Sequence, residues 1–500
     1  MEIKEKWLVW GLFSVFVFSL LTITGTLFSG IHFVDDHEMI SYAIQIKEDG
    51  FWNCVWNTVV NDLDIRFRPL YSFLRVCIVA VIGYNYDAWA ILTAAVIVIV
   101  LSMGYFCARE LGCSVFYSII FPLVIMVGPQ SVVWWKFGPQ ESIGMAMVMT
   151  GIWFLLCWSK KGNFIYGFVG EIFFILVSLY KESFICLLPM AVAIVFFEYW
   201  RKENYRIKAI GGWVKKYWIF YLSLALVCII EGALILLAIG TNEIGYVGLN
   251  TEMGLYEYIT VWTDCFKGPL KWYVLFGLVI LAVMFTGVKS WKEWMNGAII
   301  TMAIMLPQVF IYNMTGFSER YILPWALGYA WFLIITLMRD NGVLEGSKIR
   351  RGIVGFCLLG LLFFHFIVLW QEAEYHTYRG VNFQKVWEIV EENTDEDSKI
   401  LSAFTYLEAS MTVTLWGEVK NRSNIYTWDD ESKTCVKTNW DGSTIEGDIA
   451  ELDDMEIIMW YSSEHRHYAY EPELNLEEYE VYHIGTIKVA VQKKLDEYRL

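Results

Sequence analysis

The sequence predicts an all-α polytopic membrane protein of about eleven transmembrane helices, followed by a small C-terminal α/β domain. Three observations predict it. Of the 500 residues, 57% are hydrophobic and only 18% are charged, against about 25% charged in an average soluble protein. Long apolar segments recur through the first 370 residues. The charge is also divided unevenly. Residues 371–500 hold 28 acidic and 12 basic residues, a net of −16, whereas residues 1–370 hold 25 and 26, a net of +1. Two solvents are implied: lipid for 1–370 and water for an acidic domain at 371–500. The 24 Trp and 29 Tyr suit many membrane–water boundaries, where amphipathic rings settle. An acidic chain of this kind is not expected to bind nucleic acid, which needs a basic surface.

Taken in order, the first span follows Met-Glu-Ile-Lys-Glu-Lys and lacks a small-residue cleavage site, so it reads as retained. Further apolar segments begin near residues 69, 87, 113, 141, 163, 183, 217, 271, 295, 321 and 352. Lys160-Lys161, the run from Arg201 to Lys216, Lys289 with Lys292, and Arg339 with Lys348, Arg350 and Arg351 mark the cytoplasmic side. That orientation puts 129–140, 181–182, 241–270, 314–320 and the tail outside the plasma membrane, with the N-terminus inside. Twelve full crossings would return the tail to the inside. One segment among 69–84, 87–107 and 113–128 is therefore expected to be re-entrant or incomplete.

Residues 30–68 form an outer juxtamembrane loop, too polar over 36–66 to cross and expected to fold as one or two surface helices. In the tail, Val381–Glu392 has helical spacing. Lys399–Phe404 and Glu456–Tyr461 read as strands, and Tyr479–Gln492 as a hairpin turning at Gly485. Ten Cys are scattered without CxxC or Cys/His metal spacing, and no disulfide framework is expected.

Candidate chemistry lies in charged clusters at segment ends on the predicted outer side. They are Asp35, Asp36 and Glu38 with Arg66 and Arg68, then Lys136 and Glu141, then Lys181-Glu182, then Glu319-Arg320. Ionised groups at a membrane edge are functional candidates by default. Each also has a plainer reading: Arg320 as a snorkelling cation, Lys181-Glu182 as an exposed ion pair of little worth, Lys136 between Trp135 and Phe137 as an interfacial anchor. Brought together, a carboxylate pair beside Arg and Lys is what a general base needs next to a phosphate leaving group.

The order of four motifs resembles the GT-C superfamily of membrane glycosyltransferases, including its protein O-mannosyltransferase and aminoarabinose transferase branches. The motifs are Phe-Val-Asp-Asp-His-Glu-Met-Ile over 33–40, Arg-Phe-Arg-Pro-Leu-Tyr over 66–71, Tyr-Lys-Glu-Ser-Phe over 180–184 with Pro189, and Glu-Arg-Tyr-Ile-Leu-Pro over 319–324. The resemblance spreads over residues 1–370 and no single motif is specific. It implies Asp35 as the catalytic base and Asp36 as the second acid. It also implies Arg68 as a contact to the lipid phosphate, with Arg320 and Tyr321 as a second one. Lys136, Glu141, Lys181 and Glu182 complete the expected substrate site. Gly128-Pro-Gln130 departs from the His-Pro turn of close branches, which leaves the acceptor's identity open.

The resemblance further implies sugar transfer from a polyprenyl-phosphate donor to an unknown glycan, lipid or protein acceptor on the outer face, with inversion. A divalent cation near Asp35 and Asp36 fits this chemistry, though no sequence signature demands one. The alternative is a transporter or lipid flippase whose path uses the same charges. Against it, the charges sit at segment ends, and no inverted repeat is visible. Glu171 and Glu231 are the nearest to mid-membrane acids, and neither has an evident partner in the sequence.

Overall fold

The computed structural model describes residues 3–30, 36–63, 66–135, 140–239, 254–285, 291–315, 319–340, 343–344, 347–404, 412, 414–420, 422–429, 432–438, 444–464, 471–472 and 477–493. All twelve apolar segments are helical. Helix α1 spans Ile3–Ile23, and the juxtamembrane loop supplies two helices, α2 (Asp36–Asp49) and α3 (Phe51–Leu63), joined at Gly50. Next come α4 (Pro69–Ile82), α5 (Tyr86–Glu110), α6 (Val115–Met126), α7 (Gln140–Lys161), α8 (Phe164–Tyr180) and α9 (Leu188–Lys202). The helical part ends with α10 (Lys208–Ala238), α11 (Leu255–Lys267), α12 (Lys271–Phe285), α13 (Trp291–Thr315), α14 (Ile322–Ala330) and α15 (Lys348–Asn393).

Among the described residues, six helical stretches are long and apolar enough to cross a bilayer, or seven if the pair 259–267 and 271–284, bent by 86°, counts as one. The chain is an integral membrane protein on that ground. Helices α4 and α6 are short, at 14 and 12 residues, or about 21 and 18 Å long. Neither alone reaches across a hydrocarbon core of about 30 Å. Helix α5, at 25 residues, does.

Helices α7 and α8 form a tight antiparallel pair. Their turn is short because Gly162 adopts φ +70° and the Asn163 side chain accepts the Ile165 amide at 3.0 Å. Glycines let the two helices approach closely, the usual device where lipid supplies no hydrophobic drive. A Cβ added at Gly167 would fall 2.4 Å from the Trp158 ring, and one at Gly170 would fall 2.8 Å from Leu155.

Glu171 and Glu231 correct the sequence reading. Both have partners, and the pairing is reciprocal across α8 and α10: Ser223 donates to Glu171, and Ser178 donates to Glu231 at 2.9 Å. At the far end of the bundle, Arg339 is buried against Glu198 (3.3 Å) and Glu293, with Arg201 on Glu198 at 2.7 Å and Tyr205 on Glu293. Arg339 is thus spent on tying α9 to α13, which a loop-charge count does not reveal.

Helix α15 runs unbroken for 46 residues, carrying the chain from the apolar bundle into the tail, so Val381–Glu392 continues the last span. The tail is one seven-stranded sheet in the order β4-β3-β2-β1-β5-β7-β6. Its strands are β1 (Ile400–Ser402), β2 (Ile425–Asp429), β3 (Thr434–Thr438), β4 (Thr444–Ala450), β5 (Ile457–Tyr461), β6 (Tyr479–Ile484) and β7 (Ile487–Gln492). Central β1 is parallel to β2 and β5, while the remaining pairs are antiparallel. The β6–β7 hairpin turns at Gly485, where φ is +60°.

Helix α2 lies between the bundle and this domain. Its Ile40 and Ile44 pack into the tail core with Phe383, Val386, Trp387 and Trp416. Its Met39, Ala43 and Ile46 pack on Val79 and Trp89 of α4 and α5. The acid-bearing helix is therefore fixed from both sides.

All ten cysteines are free. Cys435 lies on β3 with no exposed surface, and burial together with the charges of Glu451 and Asp454 pushes its thiol up to about 12. It should not react with an impermeant thiol reagent at neutral pH until the domain unfolds. A cysteine introduced at exposed Ser463 should react readily, as mass spectrometry of the labelled protein would show. Fast labelling of native Cys435 would contradict this packing.

Candidate functional site

Four of the predicted site residues meet at one point. Glu141 lies in the first turn of α7, and Lys181 is the residue that ends α8. Because the two helices are antiparallel, these positions fall at the same open end of the hairpin. Each charge also complements its helix dipole: an acid at an N-terminus, a base at a C-terminus. Lys181 Nζ donates to Glu141 Oε1, and both side chains are buried. From the turn 319–321, Arg320 brings Nε to 3.9 Å from the same carboxylate oxygen. Tyr321 completes the cluster, with its ring 5.0 Å from Lys181 Nζ and its hydroxyl accepting from Arg320 at 3.1 Å. The Arg320 side chain is 35% exposed, so it stands at the mouth of the cluster.

Arg68 is held elsewhere. It caps the start of α4, where Pro69 fixes the first turn, and its guanidinium grips Asp62 with contacts of 2.7–2.9 Å. Ser72 donates to the same carboxylate at 3.0 Å. Burial opposes the charge on Arg68, but its bonds to Asp62 and the fields of Tyr71, Asp62 and Glu182 outweigh burial, so its pKa is raised. The Lys181-Glu182 step links the two groups. Lys181 faces Glu141 and Tyr321, while Glu182 lies in the field of Arg68, and the neighbouring Tyr180 ring packs edge-on against Tyr71 at 5.5 Å. One Glu182 oxygen is buried and accepts no hydrogen bond among the described residues.

The plainer reading of Arg68, a pair with Asp62 or Asp64 in its own loop, is the one the free protein shows, through Asp62. Sequence reasoning missed Arg75, which is 3% exposed, pairs with Glu38 at 2.7 Å and donates to the Tyr71 hydroxyl. An arginine inside the run Phe-Leu-Arg-Val-Cys-Ile-Val was the available signal. Tyr42 reaches Glu38 at 3.4 Å; burial and the Glu38 charge push its pKa well above the usual tyrosine value.

Asp35 and Lys136 lie outside the described residues, as does the side chain of Asp36. The backbone of Asp36 opens α2, at the helix end that favours negative charge. Gln130 does not face a site. It is fully buried, and its Nε2 donates to the carbonyls of Val124 and Ile125, at 3.3 and 3.0 Å, and to the Tyr273 hydroxyl at 2.9 Å. It satisfies carbonyls left unpaired where α6 ends at Val127.

Among the described residues, no three His, Cys, Asp or Glu side chains converge as metal ligands would. The arrangement presents two cations, Lys181 and Arg320, beside a hydroxyl-bearing ring, with a third cation one dipeptide away. That set can receive a phosphate group.

No family model and no curated protein matches this chain. Two solved structures are similar to it over nearly its whole length. One is ArnT from Cupriavidus metallidurans bound to undecaprenyl phosphate: 11% identity, covering 95% of this chain and 98% of that one, TM-score 0.45. The other is ArnT from Cupriavidus metallidurans in the apo state: 10% identity, covering 95% and 97%, TM-score 0.47.

Proposed function

We propose that this protein is an inverting membrane glycosyltransferase of the GT-C type, moving a sugar from a polyprenyl-phosphate donor to a hydroxyl acceptor at the outer membrane face. The observation that carries this reading is the meeting of Glu141, Lys181, Arg320 and Tyr321, drawn from segments up to 180 residues apart. Such a cluster at helix ends matches the demand of a phosphate leaving group, whereas a transport path would place its charges mid-span.

In the proposed reaction, ionised Asp35 takes the proton of the acceptor hydroxyl. The oxygen attacks the anomeric carbon, the bond from that carbon to the phosphate oxygen breaks, and the polyprenyl phosphate departs with one further unit of negative charge. Arg320 and Lys181 stabilise that charge in a site shielded from water. Asp36 acts as the second acid of the pair. Arg68 answers to Asp62 in the free protein, and its role toward the donor is to trade part of that contact for phosphate.

Arg320→Ala tests the phosphate contact. A hydrogen bond to a charged group is worth about 1.5–3 kcal/mol, so KM for the polyprenyl-phosphate donor should rise roughly tenfold to a hundredfold. Arg320→Lys should recover part of the loss. An unchanged KM in Arg320→Ala would remove Arg320 from the donor site.

A further inference from the structure

A cavity of about 250 Å³ lies where α15 meets the β5 end and the β6–β7 turn. It is smaller than the roughly 300–1,000 Å³ of sites for drug-sized ligands, which suits a single small ring. Tyr375, Tyr378, Arg379 and Asn382 line it from α15, at the i, i+3, i+4, i+7 spacing of one helix face. Tyr461 and Glu464 line it from the sheet side. Gly485, in the β6–β7 turn, lies against two of these side chains: a Cβ there would fall 2.0 Å from the Tyr378 hydroxyl and 2.5 Å from Asn382 Nδ2.

Asn382 is the telling residue. It is 7% exposed, borders the cavity and makes no side-chain hydrogen bond among the described residues, so its carboxamide is available to a ligand there. Three phenol rings offer flat apolar faces with polar edges. Arg379, Asn382 and Glu464 offer planar donor and acceptor pairs of the kind that match adjacent hydroxyls. The Glu464 carboxylate disfavours a phosphorylated or carboxylated ligand.

We propose that this cavity binds an uncharged pyranose ring, as a saccharide-recognition site separate from the transfer centre. The opposite face of α15 explains why such a site would sit here. Thr377 contacts Thr26 at 3.1 Å, and Gly30 packs directly on Gln384, so the same helix supports the segment leading to Asp35. A glycan held behind α15 would lie across the helix, about one helix diameter or roughly 10–12 Å, from Thr26 and Gly30.

The test uses the purified full-length protein in nanodiscs and saturation-transfer NMR with the methyl glycosides of glucose, galactose, mannose and N-acetylglucosamine. At least one should bind, and Asn382→Leu should weaken it at least tenfold at unchanged unfolding temperature. Should that variant fail to fold, Tyr378→Phe, which deletes one hydroxyl, should still weaken binding severalfold. Binding should persist in Asp35→Asn, so a failure of the transfer reading leaves this test intact. The proposal is overturned if none of the glycosides binds, if the variants bind as the parent does, or if inorganic phosphate displaces the sugar and so reveals an anion site at Arg379.

Discussion

Asp35→Asn should lower sugar transfer by roughly 10²–10⁴-fold, the range expected when a positioned general base is removed, with protein abundance and donor binding close to the parent. The carboxamide keeps the shape of the side chain but cannot take the acceptor's proton. The fold should tolerate the change, because the following helix is fixed independently: α2 is held by Phe383 and Trp416 on one side and by Val79 and Trp89 on the other. Rates of single turnover in membranes, with the donor saturating, separate loss of chemistry from loss of binding. If Asp35→Asn turns over normally while Asp36→Asn is inactive, the two acids exchange roles. If both variants are active, the base does not lie in this pair.

The second large effect concerns Lys181. Lys181→Met leaves the Glu141 carboxylate buried without its closest cation, since Arg320 stands 3.9 Å away. Removing one partner of a buried ion pair costs about 3–5 kcal/mol, and the open end of the α7–α8 hairpin should loosen accordingly. The double variant Glu141→Gln/Lys181→Met removes both charges and should regain most of that stability, measured as the unfolding midpoint in detergent. Transfer should stay low in both proteins, because neither restores the cation at the leaving phosphate. Recovery of transfer together with stability in the double variant would mark the pair as structural only.

Much of this was legible in the sequence. Apolar runs located the helices of the bundle except α11, which lies within the outer loop expected over 241–270, and polar residues 36–66 marked the juxtamembrane helices. The Glu141–Lys181 contact follows from arithmetic once the α7–α8 turn is placed at Gly162-Asn163, since residues about equally far from a tight turn must meet. Other features were hidden for physical reasons. Helix α15 leaves the apolar region near Gln371 without ending, so a change of solvent resembled a change of structure. Strands β2 to β4 mix Thr, Lys and Asp with their apolar residues, and β2 and β3 are only partly buried, so they lack the continuous apolar run that betrayed β5, which is buried throughout. A loop partner for Arg68 was conceivable from the sequence, but the Asp62 spacing crosses a helix break and follows no period, and the site's distant halves are joined only by tertiary packing.

The central claim is that the cluster serves a departing phosphate. The most direct measurement is transfer by the purified protein in liposomes containing a polyprenyl-phosphate sugar labelled in the sugar, alongside a mixture of cell-envelope acceptors. The account predicts that label leaves the lipid and appears covalently in the acceptor fraction, with free polyprenyl phosphate formed in equal amount, and that Asp35→Asn and Lys181→Met abolish both. Movement of the intact labelled lipid between leaflets, with no cleavage of its sugar–phosphate bond and no dependence on Asp35, would contradict it and identify a lipid transporter instead.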